Sequence, residues 1–87
     1  MANQITVYST PTCFPCRAAK RRLDREGIPY ASVDLTEDAE ALADLKRSLG
    51  VEIIQTPMFR FAGGLHTIAS LPEIIEKYQE ETNAQED

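Results

Sequence analysis

Apolar positions along this chain switch between two periods. Gln4–Tyr8 (QITVY) is rich in β-branched residues and predicts a strand. Ser9–Thr12 holds a proline and predicts a loop. From Cys13 or Phe14 the period lengthens. Cys16, Ala19 and Leu23 recur at i, i+3 and i+7, with charge on the other faces, which predicts an amphipathic helix. Pro15 suits its first turn, where a missing N–H costs nothing, and Gly27 is a natural stop. Pro29–Val33 predicts a second strand, ending at Asp34. Thr36 is placed to cap a helix over Glu37–Leu49, with acids in its first turn and Lys46 and Arg47 in its last. Leu42, Leu45 and Leu49 would line its buried side, and Gly50 would end it.

Beyond the loop Val51–Thr56, Met58–Ala62 and Leu65–Ile68 predict a β-hairpin turning at Gly63-Gly64. "SLPE" at residues 70–73 is a capping box, with Ser70 and Glu73 at the required spacing. It opens a last helix carrying Leu71, Ile74, Ile75 and Tyr78. The tail Gln79–Asp87 has no apolar residue except Ala84 and is expected to fray. The predicted order is β-α-β-α-β-β-α. The first βαβ unit must be parallel and right-handed, and the hairpin adds two antiparallel strands. The fold class is α/β: a four-stranded mixed sheet flanked by three helices, in a single domain over residues 1–87.

Composition narrows the function classes. A chain of 87 residues buries roughly 60–65% of its unfolded surface, enough for one core without staples. No apolar run reaches the ~18 residues of a membrane span, so no membrane association is expected. The start MANQITVYST has neither a basic region nor a long apolar stretch, so the expected compartment is the reducing cytoplasm. A net charge of -5 argues against a nucleic-acid partner. The charge is uneven, however. Arg17, Lys20, Arg21, Arg22 and Arg25 follow the cysteines, and acids dominate from residue 28 onward. The basic run is either a solvated helix face or a positive field that favours a thiolate and attracts an acidic partner surface.

Both cysteines lie in "TCFPCR", residues 12–17. A C-x-x-C pair on a helix sets two side chains one turn apart, close enough to bridge. Such a bridge closes a very short loop and adds little stability, so a structural staple explains it poorly. A closed metal site needs about four ligands, and the one histidine, His66, leaves the set short. A redox pair fits best. Cys13, at the helix N-terminus, gains thiolate character from the helix dipole and is the nucleophile. Cys16, one turn inside, is shielded and resolves a mixed disulfide on Cys13. Phe14 is either a packing residue of the helix start or an apolar tip that docks a partner's disulfide loop.

Residues 5–30, "ITVYSTPTCFPCRAAKRRLDREGIPY", resemble the opening of the glutaredoxins, within the thioredoxin fold. The likeness is nearest to the NrdH-type redoxins that donate electrons to ribonucleotide reductase, and it extends through "REGIPY", "QTPMF" and the "GG" hairpin. It implies a dithiol–disulfide oxidoreductase acting on protein disulfides, with a redox-active Cys13–Cys16 disulfide and no bound cofactor or metal. It also implies a cis Thr56–Pro57 bond with Pro57 beside the cysteines and Thr56 offering its backbone to substrate. Phe14, Pro15, Thr56 and Pro57 are then the substrate-binding residues. The chain departs from the family in three places. Thr10 stands where many members have lysine. Ile68-Ala69 replaces the glycine pair of glutathione-using members. The tryptophan patch of NrdH-type members is absent, and only Pro72-Glu73 agrees with that signature. Pro15 directly before the second cysteine follows the thioredoxins, which favours thioredoxin reductase over glutathione as reductant. Alternatives are a glutathione-dependent glutaredoxin, a small metal carrier, and a redox-sensing regulator of the arsenate-reductase-like kind. Those regulators insert a helical region before the proline element.

Overall fold

The computed structural model describes residues 4–84. Strand β1 (Ile5–Ser9) leads into helix α1 (Phe14–Arg25), then β2 (Tyr30–Asp34) and α2 (Ala39–Leu49). The hairpin β3 (Met58–Phe61) and β4 (Gly64–Thr67) follows, and a 3-10 turn, Ile68–Ser70, passes into α3 (Leu71–Ala84). The sheet runs β2-β1-β3-β4. β1 and β2 are parallel, with Ile5 opposite Tyr30 and Ser9 opposite Asp34. β3 is antiparallel to β1, with Tyr8 opposite Met58, and β4 is antiparallel to β3. This is the expected four-stranded mixed sheet with three helices.

The strand period of two splits the core into two layers. On one face Ile5, Val7, Phe59 and Phe61 meet Ala19 and Leu23 of α1 and Leu71, Ile74 and Ile75 of α3. On the other, Tyr8 and Met58 meet Leu45 of α2 and Leu35, with Leu42 and Ile54 packed at the margin. Central β1 and β3 are covered on both faces, which is why they carry the most completely buried side chains, among them Ile5, Val7 and Phe59.

Four local expectations are corrected. Helix α2 starts at Ala39 rather than Glu37, and its cap is Asp38, whose Oδ1 accepts from the Ala41 N–H at 3.0 Å. Thr36 is drawn away from capping because its N–H and hydroxyl both donate to Asp34 Oδ1. Leu49, expected on the buried side of α2, is exposed at the helix end next to the left-handed Gly50. The hairpin turns at Ala62-Gly63, both with positive φ, one residue earlier than Gly63-Gly64. Gly64 instead pairs with Phe61, and a side chain there would meet the His66 imidazole at 3.2 Å. Finally, the expected frayed tail is helical through Ala84. Tyr78 packs against the core and the Thr82 hydroxyl donates to the Tyr78 carbonyl at 2.9 Å, so the good helix formers between them continue the turn. Residues 85–87 of that tail lie outside the described residues.

The reassigned cap is directly testable. Asp38→Ala should cost about 1 kcal/mol in urea unfolding, the usual loss for an N-cap acid. An unchanged midpoint would return the capping role to another residue.

Candidate active site

Cys13 is the residue at which strand geometry gives way to helix. Its backbone is extended (φ -90°, ψ 109°) and it is the N-cap of α1. Its N–H donates to the Thr10 carbonyl and its own carbonyl accepts from Arg17 N–H, both at 3.3 Å. Its Sγ accepts from the Cys16 N–H at 3.2 Å, so a sulfur fills the role that a hydroxyl or carboxylate oxygen has at most caps. Pro15 sits in the first turn, where its missing N–H leaves nothing unpaired.

The two cysteines are joined by a disulfide with Cα atoms 5.2 Å apart. Their surroundings are unequal. Cys13 is half-buried, whereas Cys16 is 1% exposed on the same face of α1 as Ala19 and Leu23. Phe14, between them, is 77% exposed. Arg17 ties this tip together: its Nη2 donates to the Pro11 carbonyl at 2.9 Å, and its guanidinium lies 5.7 Å from the Phe14 ring centre. One side chain thus links the incoming loop to the residue inside the cysteine motif.

The sheet register brings in the second half of the site. Because Tyr8 pairs with Met58, the loop before β3 arrives at the end of the sheet from which the cysteine loop departs. The Thr56–Pro57 bond in that loop is cis, as expected. Pro57 is buried and Thr56 half-buried. The structure therefore gathers Cys13, Cys16, Phe14, Pro15, Thr56 and Pro57 at one end of the sheet.

Two depressions flank this end. One, about 290 Å³, is bordered by Cys16, Arg17, Lys20 and Asp34. The other, about 540 Å³, runs from Thr10 and Thr56 toward α2. The Thr36 hydroxyl and N–H, at 2.6 and 2.8 Å, hold the Asp34 carboxyl below the usual carboxylate range, with Lys20 adding to the effect. The sequence reading missed this turn and the Arg17 tie. The Asp-x-Thr spacing at 34–36 was the available signal for the first. The second depends on the loop folding back and has no signature in the sequence.

The fold and the disulfide between a half-buried and a buried cysteine define the class, the thioredoxin-fold thiol–disulfide oxidoreductases. The Glutaredoxin family model matches residues 5–59, and the chain belongs to that family. The Gene 56 protein of Mycobacterium phage D29 is 39% identical over 62 residues, covering 68% of this chain and 69% of its own. The global transcriptional regulator Spx 1 of Bacillus cereus is 36% identical over 45 residues, 52% of this chain but 34% of its own. Among solved structures, a mutant of the thioredoxin-like protein BC3987 superposes with a TM-score of 0.71 at 27% identity, covering 83% of this chain and 99% of its own. The NrdH-redoxin of Escherichia coli has the same fold, with a TM-score of 0.69 at 22% identity, covering 82% and 93%.

Two outcomes follow from the contacts. Asp34, with its lowered folded-state pKa, stabilises the fold fully above its unfolded value, and this is lost as pH falls through the folded value. Asp34→Asn should therefore be less stable than wild type at pH 7, and the gap should close as pH falls through the lowered folded-state value. A gap that does not change with pH would remove the charge from the explanation. Arg17→Lys keeps the charge but loses the planar fork. It should lower kcat/KM for a protein disulfide about twofold to fivefold, the scale of an exposed charged contact, while Cys13 alkylation in the reduced protein holds its rate. Arg17→Gln should slow both. An Arg17→Lys variant indistinguishable from wild type in both readouts would reduce Arg17 to a charge, and equal behaviour of the two variants would remove the charge from its role.

Proposed function

We propose that the chain is an electron donor that reduces protein disulfides, with Cys13 as nucleophile and Cys16 as resolving thiol. The observation that carries this is the inequality within one disulfide: a half-accessible Cys13 at a helix N-terminus, bonded to a buried Cys16. In the reduced protein the Cys13 thiolate attacks one sulfur of the substrate disulfide. A Cys13–substrate disulfide forms and the other substrate sulfur leaves as a thiolate, which takes up a proton. Cys16 then loses its proton and attacks Cys13 Sγ. The Cys13–Cys16 disulfide forms and the second substrate sulfur leaves. Two electrons have passed to the substrate.

Thioredoxin reductase is the favoured reductant and ribonucleotide reductase a candidate acceptor. Ile68 and Ala69, where glutathione-using relatives have glycines, lie in the turn just after β4, and Ile68 is 42% exposed. Met58 pairs with Thr67, so Ile68 follows at the level of Pro57. Side chains there stand where the γ-glutamyl end of glutathione would need a close approach to backbone. The regulator reading is favoured less. The segment between Gly50 and Pro57 is a short loop with no helical insertion, and the likeness to Spx 1 spans only 34% of that protein.

Cys13→Ser should abolish disulfide reduction, and Cys16→Ser should accumulate a mixed disulfide through Cys13. Cys13 should titrate below the ordinary cysteine value and be alkylated first at neutral pH. Faster labelling of Cys16 would reverse the roles. Oxidised protein should be reduced faster by NADPH with thioredoxin reductase than by NADPH with glutathione and its reductase. The opposite order would make it a glutathione-dependent glutaredoxin.

A further inference from the structure

The 540 Å³ groove beside the disulfide has a composition that selects its occupant. It begins at Thr10 and Thr56, the residues flanking the two site loops, and so continues directly from the active site. Its interior is aliphatic, made by Leu35, Leu42 and Ile54. Ile53, on its border, is 82% exposed, the most exposed large apolar side chain among the described residues. Such a side chain beside an aliphatic depression gains by being covered. The charged groups on the border are Glu37 and Glu52, both exposed, against the single half-buried Lys46. Asp38 and Glu40, also exposed, extend the acidic side along the start of α2. Across the disulfide the sign reverses at the start of α1, where the exposed Arg17 and the half-buried Lys20 border the depression beside Cys16.

We infer that this groove is a specificity subsite for the substrate chain, taking an aliphatic side chain that is followed by cationic residues. The inference rests on the reading of the chain as a protein-disulfide reductase. A segment lying over Cys13 with its aliphatic residue in the groove and cations beside it meets Glu37 and Glu52. Acidic residues on its far side meet Arg17 and Lys20. The reversed segment is repelled at both ends, so the charges set direction as well as affinity. Glutathione, with two carboxylates and one ammonium, is a poor match to a border of two acids and one base.

The test uses the full chain, reduced beforehand, and four disulfides. Three are peptides with one internal disulfide, flanked on the same side by Leu-Lys-Lys, Leu-Glu-Glu or Gly-Ser-Ser. The fourth is hydroxyethyl disulfide, too small to reach the groove. The readout is each peptide's kcat/KM divided by that for hydroxyethyl disulfide. The Leu-Lys-Lys peptide should lead the other two by roughly fivefold at low salt, and by less at ~1 M salt, where surface charges are screened. Ile53→Ser should bring it down toward the Gly-Ser-Ser peptide. A Glu37→Lys, Glu52→Lys variant should exchange the order of the Lys and Glu peptides. Peptide ratios within about twofold of one another, with all four disulfides reduced, would overturn the inference and leave the reductase reading standing. Failure to reduce any of the four would overturn both. A glutathione mixed disulfide that outruns every peptide would give the groove to glutathione. A wild-type dimer in sedimentation that Ile53→Ser dissociates would give it to a second copy of the chain.

Discussion

One apolar stripe on α1 governs both the core and the chemistry. Ala19 and Leu23 press against Ile5, Val7 and Phe59, and the same face continues one turn earlier to Cys16. Helix geometry allows no separation of the two roles, since residues at this spacing share a face. Seating α1 on the sheet therefore buries Cys16 and leaves Cys13, on the cap, at the surface. The asymmetry that a nucleophile and its resolving partner require follows from packing.

The sheet supplies the rest of the site. Its antiparallel β1–β3 pairing sets the start of β3 level with the end of β1. Two loops distant in sequence, one with the cysteines and one with Thr56 and Pro57, then share an edge. β4 carries the pattern one strand further and brings Ile68 to the same level. Loops positioned by a rigid scaffold in this way can vary their side chains without disturbing the core.

The electrostatic layout is equally a consequence of topology. The basic residues of α1 and the acidic start of α2 follow parallel neighbours β1 and β2, so both helices leave the same end of the sheet. Arg17 and Lys20 on one side and the carboxylates Glu37, Asp38 and Glu40 on the other flank the active end with opposite signs. Net charge alone hides this arrangement.

The element order, the mixed sheet and the Cys13–Cys16 pair were legible in the sequence, because periodicity, glycine stops and a four-residue motif are local signals. The boundaries that shifted did so through competition between neighbours. Thr36 lost its capping role to Asp38 because Asp34, two residues back, offered a closer acceptor. The turn settled on Ala62-Gly63 as Phe61 and Gly64 came into register, and the tail stayed helical because Tyr78 found the core. The groove lay beyond any local signal, since it is bounded by segments from β1's exit, α2 and the loop before β3. Periodicity reports which face of one element is apolar. Which faces remain uncovered once all the elements have packed is decided only by the tertiary structure.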